Sequence, residues 1–246
     1  MNFRIFFIIL FLLPTFLFGQ DQFNLKNHEW IKALDEKNKE ALSAMYFDKA
    51  ALFMDYQIIL GKGAITQALS NKPVSITDLQ SESIVPQDSN HIFQIGYYLE
   101  NEEINYAFVT GWTFKDGAFL KEFEAIFSYT ITKDKQNINL DPAREKWIKL
   151  ANTNKPKKLL KGSYTKNAYY FHREKLSQGH TEISERYTYM AQPGYKITLS
   201  PDKIIQVQPN LALEVGEFKT NGSGRYILIW QKEKNGEWKA LFDFNF

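Results

Sequence analysis

Trp30-Ile31-Lys32 recurs as Trp147-Ile148-Lys149, and from there the two halves of the chain stay in step. Residues 46–53, YFDKAALF, read against 164–171, YTKNAYYF. Gly61-Lys62-Gly63-Ala64-Ile65 reads against Gly179-His180-Thr181-Glu182-Ile183. Gly96-Tyr97-Tyr98 falls near Gly216-Glu217-Phe218, and Lys115-Asp116-Gly117 reads against Lys234-Asn235-Gly236. The offset stays between 117 and 120 throughout. Landmarks in one order at one offset constrain the architecture more than any local pattern does. The chain has to build one unit twice. Solenoid repeats are shorter, about 20–50 residues, and come in larger numbers.

Within each copy the apolar periodicity is helical first and extended afterwards. In the first copy the spacing predicts a helix over 25–47, a short β pair at 50–54 and 57–60, and a short helix over 63–70. Long strands follow over 74–85, 91–99, 104–114 and 119–131. The second copy predicts a helix over 143–161 that Pro156 breaks or kinks, and a short helix over 182–190. Its strands run over 195–207, 211–219, 225–232 and 238–246. Asp116-Gly117 and Asn235-Gly236 between apolar runs are hairpin signals. Helices followed by a strand meander make an α+β layout, with the helices covering one face of a curved antiparallel sheet. The polar stretch 132–142 is the expected linker between domains at 20–131 and 143–246.

Residues 1–19, MNFRIFFIILFLLPTFLFG, have one positive charge, an apolar run and a small residue at the exit. That is the pattern of a secretory signal peptide cleaved before Gln20. A membrane anchor is the rival reading, but a span needs about 20 apolar residues and Pro14 interrupts this run. The expectation is an exported chain, periplasmic or secreted, with no stable membrane anchor after cleavage. There is no cysteine, which removes disulfides, thiolate catalysis and thiolate metal sites. The net charge of +2 comes from interleaved acids and bases, with no footprint for nucleic acid. No His-x-x-x-His pair, carboxylate cluster or phosphate loop is present, so neither metal nor cofactor is expected.

The order of a Trp-bearing helix, then DKAALF, then GKGAI, then a last strand NGEWKALFD resembles the nuclear transport factor 2-like superfamily, in its SnoaL-like branch. The resemblance covers 25–131 and 143–246. It implies two cystatin-like cone domains, each a bent sheet wrapped around N-terminal helices with an open-ended pocket between them. Members include isomerases, dehydratases, polyketide cyclases and plain binding modules, so the fold implies a pocket and little more.

On that resemblance, 238–246 is the final long strand of the second cone. Alternation puts Trp238, Ala240, Phe242, Phe244 and Phe246 on one face, expected to be buried over its own helices. Glu124 and Asp243 match between the copies and fall on the opposite face, which favours a solvent-facing or inter-domain position over a pocket carboxylate. His172 ends the early strand of the second copy, where the first copy has Met54. His172, Asp243 and Glu124 are the catalytic candidates. Tyr170, His172, Tyr226, Trp230, Tyr106 and Trp112 are the ligand-binding candidates. In Ile227-Leu228-Ile229-Trp230 both strand faces are apolar, which suits either a central strand or an internal pseudo-dimer of the two cones.

Three readings follow. The first is a non-catalytic exported protein binding a small apolar ligand or a protein partner. The second is a SnoaL-like isomerase, dehydratase or hydrolase using a pocket His and carboxylate. The third is an envelope interaction protein with filled cones.

Overall fold

The computed structural model describes residues 18–54, 56–71, 76–100, 102–131 and 138–246. Residues 1–17 and 132–137, which carry most of the expected signal peptide and linker, lie outside the described residues. The first half runs α1 (Phe18–Asp35), α2 (Lys39–Ala44), β1 (Tyr46–Met54), β2 (Gln57–Leu60), α3 (Lys62–Ser70), β3 (Asp78–Pro86), β4 (His91–Glu100), β5 (Glu103–Lys115) and β6 (Ala118–Ser128). The second half repeats this as α4 (Asp141–Ala151), α5 (Pro156–Ser163), β7 (Tyr164–His172), β8 (Lys175–Gln178), α6 (Gly179–Arg186), β9 (Thr198–Gln208), β10 (Leu211–Lys219), β11 (Ser223–Lys232) and β12 (Trp238–Phe244).

The two sheets have the same strand order, β2-β1-β6-β5-β4-β3 and β8-β7-β12-β11-β10-β9. Both are mixed rather than purely antiparallel. β1 pairs with β6, and β7 with β12, in parallel. The meander brings its last strand beside the first, and an even number of turns leaves both running the same way. Local chemistry sets the helix ends. Asn38 caps α2, its side chain accepting from the Ala41 N–H at 3.0 Å. Pro156 does not kink one long helix but opens a separate one, α5, because a proline is tolerated in a first turn and disfavours helix just before itself. The expected short helix at 182–190 is α6 followed by a 3₁₀ turn, Tyr187–Ala191.

Matched glycines mark matched close approaches. A Cβ on Gly96 would sit 2.0 Å from the Gln80 carbonyl oxygen, and one on Gly216 would sit 2.5 Å from that of Ser200. Both lie beside irregularities in the pairing with the edge strand, so each sheet bends at the same place.

The helix-facing side of each sheet forms its own core. Trp30, Leu34, Tyr46, Leu52, Leu69, Tyr98 and Phe108 belong to the first. Trp147, Leu160, Tyr164, Ile183, Tyr187, Tyr226 and Leu228 belong to the second. The other faces of the two sheets meet in a single apolar cluster. It joins Phe53, Phe93, Ile95, Phe123 and Phe127 to Phe171, Val207, Leu213, Ile227, Ile229, Phe242 and Phe244.

This corrects the expected role of the last strand. Pairing slips between Ile229 and Trp230 and between Ala240 and Phe242, so a bulge at Leu241 breaks the alternation. Ala240 packs beneath the helices, whereas Phe242 and Phe244 turn to the opposite sheet. Phe242 lies 4.7 Å from Phe123 and 5.2 Å from Phe53, centroid to centroid. Phe246 packs on Phe93 at 4.7 Å. Gly111 makes room for this, since a Cβ there would sit 2.5 Å from the Phe244 ring. β11 is covered on both sides, with Ile227 and Ile229 in the shared cluster and Leu228 and Trp230 under the helices. Polar contacts also cross between the halves: Lys203 to Glu82 at 3.0 Å, Tyr56 to Gln208 at 2.9 Å, and the Thr130 N–H to the Val207 carbonyl at 2.9 Å.

Candidate functional site

Trp30 and Trp147 occupy equivalent environments. The Trp30 indole N–H donates to the Tyr46 hydroxyl at 3.1 Å, and that hydroxyl donates to the Glu124 carboxylate. The Trp147 indole donates to Tyr164 at 3.0 Å, and Tyr164 donates to Asp243 at 2.7 Å. One tryptophan–tyrosine–carboxylate chain is therefore built twice, from the first helix, first strand and last strand of each half. Glu124 and Asp243 are both buried and face the helices. This corrects the solvent-facing or inter-domain expectation. The aromatic face that they oppose turns to the other sheet, not to the helices, so their own face points into the cone.

The surroundings of the two carboxylates differ. In the first half Lys121, itself buried, pairs with Glu124. Its ammonium lies 4.1 Å from the Trp30 ring centroid. Burial lowers the Lys121 pKa, and the adjacent Glu124 opposes that shift. Tyr98 and Thr110 also reach Glu124, each at 3.4 Å. In the second half Ala240 stands at the place of Lys121: Lys121 is in register with Trp112 and Tyr46, as Ala240 is with Trp230 and Tyr164. Tyr187, from the 3₁₀ turn, donates to Asp243 instead.

The two halves also differ in the free space beneath their helices. Beneath the helices of the first half the free space is 20 Å³, enclosed by Trp30, Leu34, Met54, Tyr98, Tyr106 and Ile126 among others. In the second half it is 580 Å³. Several matched positions change in the sense that opens space or adds polarity. Leu34 is matched by Ala151, Tyr106 by Gly224, Met54 by His172 and Ile126 by Asn245. The floor and walls of the larger cavity include Trp147, Tyr170, Tyr187, Tyr226, Leu228 and Asp243. His172, Arg173, Lys175 and Arg186 also line it.

A second buried network braces the cavity wall. Arg144 of α4 holds Glu214 through two hydrogen bonds, at 2.9 and 2.8 Å. Tyr226 and Trp230 also donate to Glu214, at 2.6 and 3.0 Å. In the first half Gln94 takes the place of Glu214 and accepts from Trp112 at 2.9 Å.

Over somewhat less than half of its length the chain is similar in fold to nuclear transport factor 2-like proteins. A superfamily member from Salmonella enterica serovar Typhimurium is 21% identical, with a TM-score of 0.36, over 44% of this chain and 87% of its own. A nuclear transport factor 2-like protein of Shewanella oneidensis is 15% identical, with a TM-score of 0.37, over 42% of this chain and 93% of its own. A ketosteroid isomerase-like protein of Erwinia carotovora atroseptica is 10% identical, with a TM-score of 0.37, over 42% of this chain and 91% of its own. These likenesses bear on the fold alone. No protein-family model matches the chain. No curated protein matches it either.

The sequence candidates fall into distinct places in the two cones. Tyr170, His172, Tyr226 and Asp243 line the large cavity together. Trp230 and Trp112 are fully buried and spend their indole N–H on Glu214 and Gln94. Tyr106 borders the small void of the first half, and Glu124 is buried against Lys121. Among the described residues no hydrogen bond or ion pair joins His172 to a carboxylate. Its Nδ1 donates to the Asn245 carbonyl at 2.9 Å, and burial lowers its pKa. Tyr164, Tyr187, Arg144, Glu214, Lys121 and Arg186 were not singled out by sequence. Tyr46 and Tyr164 were visible as repeat landmarks, and their nearly equal spacings to Glu124 and Asp243, 78 and 79 residues, were the signal that joins them.

Burial raises the Asp243 pKa from 3.8 to about 6, with hydrogen bonds from Tyr187 and Tyr164 opposing the shift. The folded state therefore binds a proton more tightly than the unfolded state. Stability from this group is full below pH 3.8 and is lost as pH rises through about 6. The difference amounts to about 3 kcal/mol. Urea unfolding of the wild type and Asp243→Asn across that range should show the wild type losing about this much relative to the variant. A difference that stays flat with pH would refute the raised pKa.

Proposed function

We propose that the second cone is a binding site for a small, largely apolar and aromatic molecule, and that the first cone is its filled structural support. The single observation that carries this reading is the contrast between a 580 Å³ cavity in one copy and a 20 Å³ void in the other. The larger volume falls in the range of small-molecule sites, about 300–1,000 Å³, and aromatic side chains are the largest group in its lining. In this reading the chain is an exported binding protein, as its apolar N-terminal run suggests.

Binding without catalysis is favoured by how the titratable groups are occupied. Asp243 accepts from two tyrosines and His172 is committed to a backbone carbonyl. A second reading, proton transfer on the bound molecule, is favoured by one observation, the Asp243 pKa of about 6.

Native mass spectrometry of the chain purified from its source should find one small-molecule adduct per chain. Thr220→Trp, at a half-buried position lining the cavity, should abolish the adduct. Absence of any adduct, together with no thermal protection by a panel of small aromatic compounds, would overturn the binding reading. Turnover of the bound compound that Asp243→Asn abolishes while binding persists would establish the second reading instead.

A further inference from the structure

We infer that the ligand of the second cone bears an anionic group, held at the cavity rim by Arg173, Lys175 and Arg186, with its uncharged end directed toward Asp243. This rests on the reading of the second cone as a binding site and names the chemical class of its occupant, an aromatic carboxylate, sulfonate or phosphate.

Three positive side chains line this one cavity. None of them forms an ion pair among the described residues, although Glu174 between two of them pairs with Lys49 at 3.4 Å. Arg173 and Lys175 come from the turn joining β7 to β8, where Arg173 and Glu174 have φ of 48° and 57°. Two successive left-handed residues make the tight hairpin turn that sets this pair at the end of the strand carrying Tyr170 and His172. Arg186 comes from the last turn of α6 and acts electrostatically on both Tyr170 and His172. Charges from two separate elements thus converge on one opening.

The feature belongs to the open copy alone. Ala68 stands at the place of Arg186 in the repeat and Gln57 at the place of Lys175. Among the described residues, no charged side chain lines the void of the first half. Charge at the rim therefore accompanies open volume.

Asp243 fixes the orientation. Among the described residues it is the only carboxylate in the lining, and it is buried, whereas Arg173 and Lys175 are exposed and Arg186 is half-buried. An anion pushed to the buried end would meet a like charge in a low-dielectric setting, and at the rim it meets three cations. Guanidinium groups suit planar or tetrahedral oxyanions because they donate in a fixed fork. Between the two ends lie the rings of Tyr170, Tyr187, Tyr226 and Trp147, which suit an aromatic body.

The test uses two dyes that share one aromatic skeleton and differ by a sulfonate, 8-anilinonaphthalene-1-sulfonate and neutral N-phenyl-1-naphthylamine. Each is titrated by fluorescence into the full chain. The anionic dye should bind about tenfold or more tightly than the neutral one, and more weakly as salt is raised. The double variant Arg173→Gln, Arg186→Gln should lose about tenfold for the anionic dye and leave the neutral dye unchanged. Lys161→Gln, on α5 and outside the lining, should alter neither. Thr220→Trp should reduce both dyes, which locates them in the cavity. Equal affinity for the two dyes, or equal losses in the double variant, would overturn the anion assignment while leaving the binding site standing. Failure of both dyes to bind would overturn the assignment together with the reading beneath it. Thermal unfolding of each variant checks that it is folded.

Discussion

Lys121→Ala is expected to destabilise the chain by about 3–5 kcal/mol, far more than an ordinary lysine substitution. The ammonium and the Glu124 carboxylate are both buried and bonded to one another. Removing one partner leaves the other charged, out of water and without a counter-ion. The remaining donors, Tyr46, Tyr98 and Thr110, soften but do not cancel that cost. The stem of Lys121 also fills the cone beside Trp30, so its loss adds a void. The double substitution Lys121→Met, Glu124→Gln removes both charges at similar volume and should recover most of the loss. Urea denaturation of the three proteins measures this. A loss under about 1 kcal/mol for Lys121→Ala would mean that the pair contributes no more than a surface salt bridge does.

Phe242→Ala should cost a similar amount, about 3–5 kcal/mol, by a different mechanism. Its ring lies against Phe123 and Phe53 of the first half and Tyr169 of the second. The cavity left behind would sit between two sheets that cannot both collapse into it. Hydrogen exchange gives the sharper readout. Amides of β1 and β6 should exchange faster in the variant, although the substituted residue is in β12 and belongs to the other half of the repeat. Effects confined to β7, β11 and β12 would show that the two halves are energetically separate.

The duplication was legible in the sequence because its landmarks are residues that the fold uses twice. Trp30 and Trp147 each bond a tyrosine, Gly96 and Gly216 each let a carbonyl approach, and Asp116-Gly117 and Asn235-Gly236 each close a hairpin. The strand order up to the first strand's partner also follows from the meander. The parallel pairing of β1 with β6 was not legible, because both strands read equally well as members of an antiparallel sheet.

The site was half legible, and the reason is the bulge at Leu241. Strict alternation assigns Phe242, Phe244 and Phe246 to the same face as Trp238 and Ala240. One extra residue in the strand reverses that assignment. An aromatic-rich face was then read as the inside of the cone, when it is the seam between two sheets, and the carboxylates opposite it were placed outside. Lys121 was passed over because a lysine within an apolar strand looks like an outward charge until its partner is known. The cations at the rim carry no sequence signal of their own, since three basic residues in an otherwise balanced chain stand out only when the fold brings them to one opening.

The seam has a consequence for how such a chain is made. Phe242, Phe244 and Phe246 leave the ribosome long after Phe53, Phe93 and Phe123, the residues that they cover. Until the second half has been made, the first half presents a bare greasy sheet with nothing of its own to lay over it. Nascent chains in that state are prone to stick to one another. A stop codon ahead of β12 would therefore expose much more than that strand itself.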